Sequence, residues 1–198
     1  MTTYSDIRYD MGLSTSATGV GGMVLLATET ASSSDTIDFT SKIDSLYKEY
    51  IFKFINVHPA TDAAELSFQA NAAGGSGFDE TITSTYFRAV HNEADTAATL
   101  NYDANRDQAQ ATGFQEIASD VGNENDQSAS GYLHLFDPSS TTFTKHFILR
   151  SSVYIADTGA RDQFVAGYFN TTSAIDEIQF KMSSGNIDAG TFKMYGVL

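Results

Sequence analysis

From Asp176 to Lys181 the chain alternates: Ile178, Phe180 and Met182 fall on one face, Glu177, Gln179 and Lys181 on the other. This two-residue period belongs to a strand with one face buried and is incompatible with a helix, whose faces repeat about every 3.6 residues. The small, turn-forming residues Ser183-Ser184-Gly185-Asn186 and Asp188-Ala189-Gly190 follow. Beyond them Phe192, Met194, Gly196 and Leu198 alternate with Thr191, Lys193, Tyr195 and Val197. The pattern predicts a hairpin over residues 175–198 that closes the sheet of the domain.

The same grammar recurs along the chain. Residues 1–20 are small and polar, with Ile7, Met11 and Leu13 as isolated apolar positions, and read as an extended arm ahead of a domain spanning residues 21–198. Gly22-Met23-Val24-Leu25-Leu26-Ala27 is a short, continuously apolar run, as expected of a buried strand. Ile37 and Phe39 mark a short strand, and residues 46–57 place large apolar side chains on both faces, which predicts a central, covered strand. Leu66, Phe68 and Ala70 alternate in a return strand, and residues 71–79 form a glycine-rich loop. Tyr86 to His91 is a further strand. Residues 92–126 lack clear periodicity and read as one long irregular loop with a short helical turn near residues 105–111, a length usually functional or interfacial. Alternation returns at residues 131–136, 143–155 and 163–169. In the second of these, Phe143, Phe147, Leu149, Val153 and Ile155 share a face with Lys145 and Ser151. Many strands, turn clusters between them and almost no helix predict an all-β antiparallel jelly-roll sandwich.

Composition narrows the functional classes. With 25 acidic and 11 basic residues the chain has a formal charge of −14, which argues against binding to a nucleic-acid backbone. Cysteine is absent, so disulfide scaffolds, thiolate zinc sites and thiol nucleophiles drop out. No apolar run approaches the ~20 residues that span a bilayer, and the opening MTTYSDIRYDMG lacks the basic head and apolar middle of a signal peptide, so the reading is no membrane and synthesis in a cytoplasm.

Motifs that would carry chemistry are weak. His58, His91, His134 and His146 stand singly, without metal-ligand spacing. Asp103-Ala104-Asn105-Arg106-Asp107 resembles the start of a calcium loop, yet Gln108 replaces the required glycine and Phe114 the bidentate glutamate; Asp120, Asn123, Asn125 and Asp126 offer looser oxygen donors. Gly74-Gly75-Ser76-Gly77 lacks the Lys-Ser/Thr of a phosphate loop. Glu65, Glu80, Glu93, Glu116 and Glu177 supply carboxylates but no motif pairs them, and no Gly-x-Ser-x-Gly occurs. Tyr47, Tyr86, Tyr132, Tyr154 and Tyr168 are available for a sugar platform, core packing or a subunit contact. The sequence therefore designates no catalytic, cofactor-binding or metal-ligating residue, and reads as non-enzymatic.

The closing residues Ser184-Gly185-Asn186-Ile187-Asp188-Ala189-Gly190-Thr191-Phe192-Lys193-Met194-Tyr195-Gly196-Val197-Leu198 resemble the C-terminal signature of virion proteins of tailed phages, notably marine ones. The resemblance implies a jelly-roll sandwich serving as a capsid decoration (cement) protein or as part of a tail or fibre. Its partners would be the major capsid protein or other virion proteins, with a homo-oligomer, a trimer in the first place, as the assembling unit. It transfers no catalytic residue. The alternatives are a tail or fibre component with a glycan- or receptor-binding surface, and a free carbohydrate-binding or glycan-cleaving jelly roll.

Overall fold

Phenylalanine, tyrosine and β-branched residues at alternate positions, punctuated by Gly, Asn, Asp and Ser, leave the chain one economical way to bury apolar surface: packed sheets. The computed structural model describes residues 22–198, and the arm expected over residues 1–20 lies outside them. The described residues form thirteen strands and no helix: β1 (Met23–Ser34), β2 (Thr36–Phe39), β3 (Glu49–Pro59), β4 (Ala64–Ala72), β5 (Ile82–Asn92), β6 (Ala98–Tyr102), β7 (Ala109–Ala111), β8 (Gln115–Val121), β9 (Ala129–Phe136), β10 (Lys145–Ile155), β11 (Gly159–Phe169), β12 (Ile175–Met182) and β13 (Ile187–Val197).

A large sheet runs β1-β13-β3-β9-β10-β11-β5, with β6 and β7 sharing the far edge of β5, and a short sheet runs β2-β12-β4-β8. Their one ladder contact is the pair Ile155 and Val121. Every pairing is antiparallel, and the chain crosses between the sheets at most connections, so that β1-β13-β3-β9 packed on β2-β12-β4-β8 has a jelly-roll-like order. Two excursions, β5–β7 and β10–β11, widen the large sheet beyond that frame.

The two inner faces meet in one aromatic core. Phe68 of β4 lies edge-on to Phe147 of β10 and Phe169 of β11, with ring centroids 5.2 and 6.0 Å apart, and Phe180 of β12 packs 5.2 Å from Phe192 of β13. Such pairs contribute about 0.5–1.5 kcal/mol each beyond the burial of their area. Gly196 leaves room for the Tyr47 ring, which a Cβ at that position would meet at 2.5 Å. Lys145 and Ser151 are buried on the core face of β10, as the alternation predicts. The Lys145 ammonium donates to the carbonyls of Phe143 and Thr171 at 3.0 and 3.1 Å, and burial lowers its pKa.

Several expectations change. β12 and β13 are not a hairpin: β12 pairs with β2 and β4, β13 with β1 and β3, and the turn between them crosses the sandwich. Both strands are amphipathic, and their apolar faces are buried against each other rather than side by side in one sheet. The apolar run at Met23 is a strand, but an edge strand with Met23, Val24 and Leu25 exposed rather than a buried one. Residues 92–126 contain β6, β7 and β8 rather than one irregular loop, and strand β7 stands where a helical turn was expected. Phe143 lies outside β10, exposed, because that strand begins at Lys145.

Candidate functional site

The outer face of the large sheet is where this fold leaves side chains without a partner layer. Alternation turns Leu133 and Leu135 of β9, Phe147 and Leu149 of β10 and Val165 of β11 into the core. The intervening residues therefore point outward. Register aligns them in rows. One row runs Leu25, Tyr195, Ile51, His134, Ile148, Ala166 and Thr85 across β1, β13, β3, β9, β10, β11 and β5. The next runs Thr28, Lys193, Lys53, Tyr132, Arg150, Phe164, Phe87 and Tyr102, reaching β6.

These neighbours touch. Phe87 and Phe164 stack with centroids 4.8 Å apart, the Arg150 guanidinium lies 4.7 Å from the Phe164 ring, and the Lys53 ammonium lies 5.4 Å from the Tyr195 ring. Arg150 also donates to both oxygens of Asp162, at 2.9 and 2.6 Å, in the fork geometry that suits a carboxylate. His134 Nδ1 sits 2.8 Å from Glu49 Oε1 and its ring 5.3 Å from that of Tyr132. Beside this aromatic and basic row lies a shallow depression lined by Ser130, Gly131, Ser152 and Ala160, small residues next to Tyr132 and Arg150. Leu25, Phe87, Tyr132 and Ile148 on this face are each at least 38% exposed, well above what a core position shows. Nothing in this arrangement activates a nucleophile. What it offers is a broad contact area of aromatic, apolar and basic groups.

Asp103, Glu116 and Asp120, three of the candidates within residues 92–126, go elsewhere, into a charge cluster that holds the β5–β7 excursion against the short sheet. Asp103 accepts from Arg88 at 3.0 Å and lies 3.4 Å from Arg106. Asp120 gathers Arg88 at 3.7 Å, Arg106 at 3.5 Å and Arg161 in direct contact, from a backbone turned to a left-handed φ of 54° that Asp tolerates. Arg106 also contacts Glu116 and lies 3.6 Å from Glu65. Burial raises the Glu116 pKa despite its arginine neighbour, whereas Glu116 and Asp120 outweigh burial at Arg106 and keep its guanidinium charged. Burial likewise pushes the adjacent Tyr86 hydroxyl up to about 12.

The calcium-like stretch is thus dispersed: Asp103 and Asp120 face guanidinium groups, and Asp107 accepts from the Tyr102 hydroxyl. Asn123 turns to Asp62, its amide donating at 3.1 Å. Among the described residues, no group of three or more His, Asp or Glu side chains is placed to hold a metal ion. The four histidines are scattered, His58 against the Glu124 carbonyl at 3.1 Å, His91 against Asp95 at 3.0 Å, His134 against Glu49 and His146 beside Tyr168. Of the glutamates, Glu65 and Glu116 converge on Arg106, while Glu80, Glu93 and Glu177 bond separately to the Ala72 amide, the Tyr154 hydroxyl and the Asn71 side chain. Tyr47 and Tyr86 are core residues, and Tyr132 lies on the open face. Sequence reasoning missed Arg88 and Arg161. Their signal was parity: each shares its strand face with buried residues, Arg88 with Tyr86 and Arg161 with Gln163 and Val165.

Comparison with protein-family models, with curated proteins and with solved structures gives no match.

Proposed function

We propose that this protein is a non-enzymatic structural component of a bacteriophage virion, a head decoration protein that bridges and stabilises capsid subunits. The observation that carries the reading is the open outer face of the large sheet, where aromatic, apolar and basic side chains stand in register with no covering layer among the described residues. Broad exposed patches of this kind serve contacts with other macromolecules. The terminal strand contributes Tyr195 and Lys193 to that face, so the stretch resembling phage virion proteins is part of the proposed contact. Major capsid protein and further copies of this chain, in a trimer, are the proposed partners, and the assembled particle is the proposed location.

Imaging of purified particles tests this. Density for the sandwich is expected at symmetry-equivalent positions over the shell, and its restriction to the tail would overturn the decoration role. The depression lined by Ser130, Gly131, Ser152 and Ala160 beside Tyr132 supports a second reading, a tail or fibre component that holds a glycan against the tyrosine ring. Tail-restricted density together with binding on a glycan array would favour it.

A further inference from the structure

Lys53 of β3 and Lys193 of β13 stand directly opposite each other on the outer face. Like charges so placed across an antiparallel pair destabilise it, and neither ammonium forms an ion pair among the described residues. This is not the by-product of a base-rich surface. The chain has 25 acidic residues against 11 basic ones. Arg88, Arg106, Arg161 and Lys145 are turned inward. Arg150, two places along the same row, is already neutralised by Asp162. In a protein of charge −14, the fold has set two uncompensated cations side by side, with Tyr132 and Tyr195 as neighbours.

We propose that the Lys53–Lys193 pair seats carboxylates from a second copy of this chain, so that copies associate through the open face of the large sheet. Charge complementarity points to the copy: the bases that remain on the surface are few, so most of what one molecule presents to another is acidic, matching this seat. Area agrees. Strands of 11 residues and eight strand positions give a face of about 34 by 36 Å, roughly 1,200 Å², against the ~800 Å² per partner of a stable interface. The neighbouring row, with Leu25, Tyr195 and Ile148, supplies the apolar part. A basic seat and an acidic counterpart are different patches, so the contact is head-to-tail, the kind that forms a ring such as a trimer when the rotation between copies closes. The inference deepens the assembly reading and rests on it only for its purpose.

Sedimentation of the full chain across a concentration series, at about 50 mM and about 500 mM salt, tests it. The wild type is expected to associate at low salt and dissociate at high salt. K53Q/K193Q should raise the dissociation constant by about tenfold or more, while K181E, an equal change in net charge on the short sheet, should leave it within about twofold. Thermal melting of both variants checks that they fold. A monomeric wild type at low salt, association indifferent to K53Q/K193Q, or equal weakening by K181E would each overturn the proposal. Association in solution by a protein absent from particles would leave this contact standing and overturn the virion role alone.

Discussion

On the short sheet, β4 turns Ser67, Gln69 and Asn71 outward, and the chain folds back over them until all three are buried. On the large sheet, β9, β10 and β11 turn Tyr132, Ile148 and Phe164 outward, and nothing among the described residues lies over them. The residue types explain the difference. The fully buried Gln69 side-chain amide reaches the carbonyls of Glu80, Thr112 and Gly113 at 2.9 to 3.1 Å, so its own polar group is satisfied by the loop backbone that covers it. Ser67 donates to the Lys181 carbonyl at 3.1 Å and Asn71 to Glu177 at 2.9 Å. A face closed from within carries polar side chains that meet backbone carbonyls or a neighbouring carboxylate. The open face carries rings and apolar branches, which give loop backbone no hydrogen-bonding partner and which another folded surface can cover.

Deleting residues 191–198 should have the largest effect, because β13 lies between β1 and β3 and supports the open face itself. The loss should exceed the roughly 5–15 kcal/mol that holds such a domain together, and a truncated chain that still melted cooperatively would show that the face does not depend on this strand. Next comes Arg106→Met, which strips one partner from Glu65, Asp103, Glu116 and Asp120 on the covered side. Removing one member of a fully buried ionic cluster costs about 3–5 kcal/mol; because Glu116 and Asp120 are half-buried, a loss of about 2–3 kcal/mol is expected by urea unfolding, and one below about 1 kcal/mol would reduce the cluster to surface decoration.

Gln69→Ala should cost about 2 kcal/mol by removing a fully buried side chain together with its hydrogen bonds to three loop carbonyls. It should also speed hydrogen exchange in the two loops that Gln69 holds, around Glu80 and Gly113. Unchanged exchange there would mean that the covered face stays closed for some other reason. The smallest effect belongs to Tyr132→Ala on the open face, where stability should change by less than about 1 kcal/mol while self-association weakens. If it instead destabilised the monomer as much as a core substitution, the asymmetry between the two faces would be lost.

How far these faces could be read in advance depended on what each buries. Strands β10 and β11 were legible because their inward residues are mostly apolar; Lys145 and Ser151 were placed on the core face by parity alone. Strand β8 was not, since its buried positions include Gln115 and Ser119 beside Ile117 and Val121, and the apolar rhythm breaks where polar side chains serve the interior. The run from Met23 reads as a buried strand and is an exposed edge, because continuous apolarity records a need for cover without saying whether the same chain provides it. The open face is partly visible in the sequence: alternation sets Tyr195 and Val197 opposite Phe192 and Met194 on the last strand, but the row that joins Lys193 to Lys53 exists only once β13 lies beside β3.

The amino-acid sequence by itself determined most of the strands, their inward and outward sets, the all-β class and the acidic balance, because these follow from periodicity and composition read locally. Tertiary structure alone decided that β12 and β13 part into opposite sheets, that three arginines converge on Asp120, and that one outer face is closed and the other open. The physical reason is that partner choice among amphipathic strands is a long-range matter. Each strand specifies which side must be buried, and only the whole chain determines what buries it.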